Sequence, residues 1–314
     1  MLYLYGMMWR TICGALGVLI LFWNVENYFD PFDDPLKNDD EFTSGAERRW
    51  TWNRFEAKRD GIAQVIVAAG DLTGELPAVV GLAEVENRLV VSQLVHKTML
   101  EELGYGFVHR ESPDERGIDV ALLYRQDVLR VVAVDSLRVP GVVTRDILYV
   151  HFVIPGPEAS RHARPDRASL HVFVVHLPSK RGGEIASQGP REAALRVLEG
   201  AVDSLLANDP AGRIVVMGDF NDTQGAVAGL GRPPFDGPPA QPGTLKYHGR
   251  WEQIDWFHVS PALDSAAAMN IFVPPFLLEP DAAWLGVKPR RTYVGPRYNG
   301  GLSDHLPIYL KIFP

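Results

Sequence analysis

A chain of 314 residues and 34.8 kDa can bury one large core or two ordinary ones. Hydrophobic residues at 46% and charged residues at 22% are globular values, and no low-complexity tract or internal repeat interrupts them. A formal net charge of −8 excludes a protein that coats nucleic acid through global charge, though not an enzyme with a local basic groove. The single Cys13 excludes an intramolecular disulfide and a thiolate zinc cluster.

Arg10 precedes an apolar run from Ile12 to Trp23 that is short for a membrane span. The small residues Cys13, Gly14 and Ala15 fit an export-signal remnant within residues 1–15, while Ile12 before Cys13 argues against a lipid-modified cysteine. The second half of the run leads straight into polar residues and reads as a first strand, Leu16–Asn24. An acidic, Pro-containing loop follows over Asp30–Glu41.

Trp50–Val67 has helical periodicity, with Trp52, Phe55, Ile62, Val65 and Ile66 near one stripe. Ala78–Ala83 reads as a short buried strand and Leu89–Leu103 as a helix stopped by Gly104. Strands are expected over Val120–Tyr124, Val128–Val134, Leu148–Val153 and Leu170–Val175, with a polar insertion rich in Arg and His before the last of them. Glu192–Leu206 is an amphipathic helix, Ile214–Met217 a strand stopping at Gly218, and Gly225–Pro242 a Gly/Pro-rich loop. Ile254–Val259 and Pro307–Ile312 close the chain as strands. No linker divides this pattern, so residues 16–314 are expected to form one domain.

Polar chemistry repeatedly abuts these strands. Asn24 and Glu26 lie at i, i+2 at the end of the first, and Glu84 ends GLAE. His176 ends LHVFVVH, and Asp219 and Asn221 follow VVMG. Asp255 lies in QIDWFHVS, and Asp304 and His305 precede the final strand. Strand side chains alternate between faces, so i, i+2 pairs can point the same way. Each of these residues alone reads as a solvated loop residue or a satisfied polar group. Their joint occurrence is far more specific.

In order and wording, FWNVEN, GLAEVEN, GIDVALLYR, VVHLPSKRGG, VMGDFND, QIDWFHVS and GGLSDHLPIYL resemble the endonuclease/exonuclease/phosphatase superfamily, across nearly the whole chain. The resemblance implies a four-layer α/β sandwich, two packed mixed sheets flanked by helices, with the site at one edge of the sheets. It also implies Mg²⁺- or Mn²⁺-dependent phosphoester hydrolysis. On that reading Glu84 is the primary Mg²⁺ ligand, with Asp304, Asn24 and Glu26 as nearby oxygen donors, as a hard cation needs. Asp219 or His305 orients and deprotonates the attacking water, and Asn221 holds phosphate and water in line. Asp255 supports His305, and His176 donates to a phosphate oxygen. Asp119 matches the acidic residue that orients this histidine, and Lys180 and Arg181 are candidates for a second phosphate contact.

The substrate does not follow from the family. Nucleic acid is the first expectation, because Arg48, Arg49, Arg54, Lys58 and Arg59 suggest a basic helix face and Arg290, Arg291 and Arg297 precede the SDH motif. Glu47, Glu56 and Asp60 interleave with the first cluster. A small-molecule or lipid phosphoester is the alternative. A catalytically inert binding module is disfavoured, since every expected catalytic residue type is present. No G-x-S-x-G elbow supports an acyl hydrolase. A monomer without an obligate protein partner is expected, in a bacterial cytoplasm or exported.

Overall fold

The computed structural model describes residues 17–155, 169–179, 184–239 and 241–313, with side chains of the third span from residue 187. The proposed export-signal remnant, Lys180 and Arg181 lie outside these residues. Among the described residues no helix is long and apolar enough to cross a membrane.

The first described strand is β1 (Val18–Tyr28), whose unbroken apolar run VLILFW is buried on both faces, as suits a central strand. Helix α1 (Trp52–Thr73) carries the crossover to β2 (Val79–Val85), which pairs parallel to β1. Helix α2 (Arg88–His96) is capped by the Asn87 side chain, which accepts from the N–H groups of Leu89 and Val90. It stops seven residues short of expectation; Thr98 Oγ1 donates to Leu94 O, and turns occupy the stretch to Gly104. Strands β3 (Tyr105–His109), β4 (Asp119–Arg125), β5 (Arg130–Leu137), β6 (Ile147–Val153) and β7 (Ser169–His176) follow. Helix α3 (Glu184–Asn208) crosses over to β8 (Ile214–Asp219), parallel to β7.

Beyond β8 come a small hairpin, β9 (Leu245–Tyr247) and β10 (Arg250–Glu252), then β11 (Asp255–Val259) and β12 (Ala267–Ile271). Two further hairpins, β13 (Leu278–Pro280) with β14 (Val287–Pro289) and β15 (Tyr293–Val294) with β16 (Arg297–Tyr298), precede β17 (Ile308–Ile312).

Two large mixed sheets form the core. One has the order β12-β17-β1-β2-β4-β3, the other β11-β8-β7-β6-β5. They meet closely: a Cβ on Gly81 of β2 would lie 2.7 Å from Met217 Cε of β8, so this position admits no larger residue without a shift. Helix α1 buries Phe55, Ile62, Val65 and Ile66, and α3 buries Ala194, Leu198 and Val202 at four-residue spacing, all within one apolar cluster. The expected α/β sandwich is therefore present, with β3 and β12 as strands that the sequence pattern did not reveal. Tyr105–His109 and Ala267–Ile271 are short and lack clear alternation, so period alone could not distinguish them from loop.

Ladder register prepares the site. Along β7, β8 and β11, His176 pairs with Asp219 and Asp219 with Asp255, which lays all three in one row across three strands. In the other sheet β1 and β2 both break register near the same level, between Asn24 and Tyr28 and between Ala83 and Val85. Glu26, Asn27 and Glu84 take positive φ there (48°, 53° and 62°). Such irregularities re-aim side chains and are costly for non-Gly residues. Strand β1 continues through this break past its expected end at Asn24 to Tyr28, and β8, in regular register with both neighbours, passes Gly218 to end at Asp219.

Candidate active site

The row of carboxylates and histidines forms the floor of a cavity of about 610 Å³, lined by Glu84, His176, Asp219, Asn221, Asp304 and His305 among others. Asp219 is nearly fully buried. Its Oδ2 accepts from Asn24 Nδ2 at 3.1 Å and lies 3.6 Å from His176 Nε2 and 3.9 Å from His305 Nε2. Its Oδ1 accepts from the Asn221 N–H at 2.8 Å. Burial first, and then Asp255, push Asp219 up to about 7, against the lowering influence of His305. A carboxyl group so placed holds or releases a proton near neutrality.

His305 is held by a second carboxylate. Its Nδ1 hydrogen-bonds Asp255 Oδ2 at 2.8 Å, and Thr244 Oγ1 donates to the same oxygen. Burial opposes a charged imidazole, yet Asp255, Asp219 and Asp304 together hold the His305 pKa well above its ordinary value. The Ser303 hydroxyl fixes the loop by accepting from the His305 N–H at 2.9 Å and donating to Asn24 O at 2.6 Å. Trp23 Nε1 donates to His305 O at 2.9 Å, so the end of the chain is pinned to the first strand.

The other wall is acidic and partly neutralised. Glu84 Oε2 accepts from the Asn27 N–H at 2.9 Å, while Oε1 has only a 3.5 Å contact with Asn24 Nδ2. Arg291 donates through Nε and Nη2 to Glu26 Oε1 (3.0 and 2.7 Å) and lies 3.0 Å from Asp304 Oδ2. Glu26 Oε2 accepts from the Thr292 N–H at 2.9 Å. Burial, together with Asp304, raises Glu26 to about 7 despite Arg291 and Lys58. Beneath it Lys58, buried on α1, donates to Glu26 O and to Thr292 Oγ1 at 2.7 Å; burial lowers Lys58 to about 8.

Residues 19–227 and 239–313 match the model of the Endonuclease/Exonuclease/phosphatase family. The chain belongs to this family. No match to a curated protein is found. Among solved structures, truncated TDP2 from Caenorhabditis elegans is similar at TM-score 0.61 and 16% identity, covering 95% of this chain and 98% of that one. A mannosyl-6-phosphatase from Bacteroides thetaiotaomicron is similar at TM-score 0.60 and 15% identity, covering 94% and 100%. TDP2 from D. rerio in complex with a single-strand DNA product reaches TM-score 0.52 at 18% identity, covering 95% and 99%. At such identities the likeness establishes the fold.

Within the endonuclease/exonuclease/phosphatase fold of this chain, most expected residues converge. Asn24, Glu84, His176, Asp219, Asn221, Asp255, Asp304 and His305 surround one cavity or directly support its floor. One expectation needs correction. Asp119 does not face His176: its Oδ2 lies 3.2 Å from His109 Nε2 and its Oδ1 accepts from the Ser112 N–H, so it closes the turn between β3 and β4. Glu26 lines the cavity as expected, with Oε1 engaged by Arg291 and Oε2 by the Thr292 N–H.

The basic helix face is also absent. Lys58 and Arg59 are buried on α1, Arg48 pairs with Glu41, and Arg54 donates to the carbonyls of Arg48 and Arg49. Periodicity places charges on a helix but does not say which are drawn inward by a buried acceptor such as Glu26 O.

Several working residues carried no sequence signal. Arg145 donates to His176 O and Leu177 O (3.1 and 2.7 Å) and pairs with Asp114 at 3.1 Å, which clamps the turn after β7. The same turn is held from just beyond β8 by Asn221, a residue the motif did mark, whose Nδ2 donates to Leu177 O at 3.0 Å. Thr244 sits in a Gly/Pro-rich loop and gains its meaning only from Asp255. Ser303, two residues before His305 in LSDH, was the one findable case.

The donor set fits a hard divalent cation. Glu84 Oε1 has only a long 3.5 Å contact with Asn24 Nδ2, and the Asp304 side chain is about a quarter exposed at the cavity. Mg²⁺ binds through one or two carboxylates and keeps several waters, so these oxygens suffice. Asp219, Asp255 and His305 form a second, tighter group, with ligand atoms within 4.8 Å of one another and Asp255 Oδ1 without a hydrogen-bond partner among the described residues; the Asp255–His305 hydrogen bond equips it for proton handling as well.

Proposed function

We propose that this protein is a divalent-cation-dependent phosphoester hydrolase, a phosphodiesterase acting on nucleic acid with Mg²⁺ or Mn²⁺ as the ion. The observation that carries the reading is Asp219, buried and poised near neutrality between Asn24, His176 and His305, across the cavity floor from the acidic wall of Glu84 and Asp304. Glu84 and Asp304 would hold the ion, which when bound would neutralise charge on the phosphoryl oxygens and the leaving group.

The chain's own residues do the rest. Asp219 Oδ2 accepts the proton of the attacking water, and Asn24 Nδ2 and the Asn221 N–H hold that carboxylate in place. His305, kept charged by Asp255, donates from Nε2 toward a non-bridging phosphate oxygen. His176 Nε2 donates to a second one, from a turn clamped by Arg145. Arg291 adds a guanidinium at the opposite wall, oriented by Glu26.

A second reading, a small-molecule phosphoester, is favoured by one observation: of the five cations expected to form a basic face, Lys58 and Arg59 are buried, Arg48 pairs with Glu41 and Arg54 is held by backbone carbonyls, so that only Arg49 stays exposed without a partner among the described residues. Turnover assays with Mg²⁺, Mn²⁺ and EDTA over single-stranded DNA, RNA, a sugar phosphate and a phospholipid separate the two. The nucleic-acid reading expects cleavage of an oligonucleotide, abolished by EDTA and by Glu84→Ala. Turnover that survives EDTA, or of the sugar phosphate or phospholipid alone, overturns it.

A further inference from the structure

The cavity has a mouth quite unlike its floor. Tyr247 and Trp284 line it while remaining 60% and 57% exposed, and His248 lies between them. The His248 ring is edge-on to Tyr247 at 4.2 Å and to Trp284 at 6.2 Å. Large aromatic rings left half in water cost free energy unless something covers them, and rings at a cavity rim are suited to covering by a planar ligand.

These rings stand on a rigid support. The β9–β10 hairpin turns at His248 and Gly249, both at positive φ (44° and 79°). A Cβ on Gly249 would lie 3.0 Å from three atoms of Trp284, so only glycine lets the hairpin tip lie flush against the indole. The β13–β14 hairpin is welded to it from below. Lys246, its side chain buried, pairs with Asp281 at 2.9 Å and donates to Leu285 O and Val287 O (2.8 and 3.1 Å). Asp281 Oδ1 in turn accepts from the Trp284 N–H at 3.2 Å. The two hairpins therefore present Tyr247 and Trp284 as one preorganised rim, which lowers the ordering cost of binding.

The rim is also tied in register to the catalytic floor. Leu245 forms a β-bridge with His305, and Tyr247 follows two residues along the same strand, roughly 7 Å away at strand rise. Tyr247 and His305 thus line one cavity from neighbouring positions of the same backbone pairing. Arg116 also lines the cavity, with Nη2 donating to Asn27 Oδ1 at 2.5 Å and no carboxylate paired to it among the described residues, and offers charge to a flanking phosphate; Lys288 is neutralised by Glu279 at 3.5 Å. A base inside a duplex has both faces stacked already and must be unstacked at a cost to use the rim, whereas an unpaired one meets it freely.

We propose that Tyr247 and Trp284 form a stacking site for one unpaired nucleobase next to the scissile phosphate. This selects single-stranded segments or frayed ends over duplex, and it rests on the phosphoester-hydrolase reading above.

The test uses the full chain with Mg²⁺ and a fluorescein-labelled phosphorothioate pentanucleotide, read by anisotropy. A matching chain of abasic tetrahydrofuran units lacks only the rings. Wild type should bind the base-bearing probe at least tenfold more tightly than the abasic one. Trp284→Ala and Tyr247→Ala should each weaken the first by about fivefold or more while leaving the second nearly unmoved. Trp284→Phe and Tyr247→Phe keep a flat ring and should stay within about threefold of wild type, which guards against simple misfolding. Equal binding of both probes by wild type, or Phe variants as weak as the Ala variants, overturns the proposal. So does a loss confined to mannose 6-phosphate binding, which would make the rim a sugar platform. Metal-dependent phosphoester turnover with unchanged pentanucleotide binding in the Ala variants sinks the stacking site and spares the hydrolase. Absence of any turnover sinks the hydrolase, while the binding comparison still reads the rim.

Discussion

Strand β11 offers two buried environments only three residues apart. At its cavity end Asp255 faces Asp219 across the ladder and accepts from His305 Nδ1. At its core end His258 lies opposite Val216, and neither ring nitrogen has a hydrogen-bond partner among the described residues. Both imidazoles are buried, at 7% and 1% exposure. Yet His305 is held well above the ordinary histidine range, whereas burial, and secondarily Arg232, bring His258 down to about 3. Burial by itself neutralises a histidine. Only carboxylates placed by register keep one charged, and that difference separates a group able to act on an anion from one that fills space.

The largest effects should come from breaking the charged end. Asp219→Asn and His305→Gln should each lower kcat by about 10²–10⁴-fold in steady-state assays; near-wild-type turnover in either would remove that residue from the mechanism. Asp255→Asn should act more mildly, at about 100-fold. It should also bring the His305 titration midpoint, followed by NMR, down toward the unperturbed value of about 6.5. An unmoved midpoint would mean that Asp219 and Asp304 hold the charge without it. Arg291→Ala frees Glu26 and Asp304 and should raise KM about tenfold, the size of one charge-assisted hydrogen bond.

The smallest effect lies at the neutral end, and its sign is set by linkage. The folded-state pKa of His258 is depressed, so its contribution is fully present above pH 6.5 and is lost as pH falls toward 3, where the unfolded chain takes up the proton first. His258→Leu cannot lose stability this way. It should match wild type within about 1 kcal/mol at pH 7 and exceed it by about 2 kcal/mol at pH 5 in urea denaturation. Parallel pH profiles for the two proteins would show that His258 is protonated in the fold.

Much of the site was legible because its residues sit at the ends of short apolar runs. Asn24, Glu84, His176 and Asp219 each follow such a run, and the pattern needs only local sequence. The supports were not legible. Arg291 meets Glu26 across 265 residues and Lys58 meets Thr292 across 234, and nothing local marks either pair. Asp119 shows the opposite error. It looks catalytic in GIDVALLYR, but the antiparallel turn after β3 delivers it to His109.

Sequence by itself determined which strands carry chemistry and which atoms are offered: oxygen donors for a hard cation, imidazoles for a phosphate, and one carboxamide beside a carboxylate. Tertiary structure alone decided their states. The ladder row of His176, Asp219 and Asp255 sets Asp219 beside a second buried carboxylate, which with burial raises it to about 7, and brings Asp255 to His305, whose charge it supports. It also decided that the α1 cations turn inward, and that two distant hairpins meet as an aromatic rim. The reason is physical: residue type sets what a group can donate or accept, but desolvation and neighbouring charge set whether it does, and both are properties of packing.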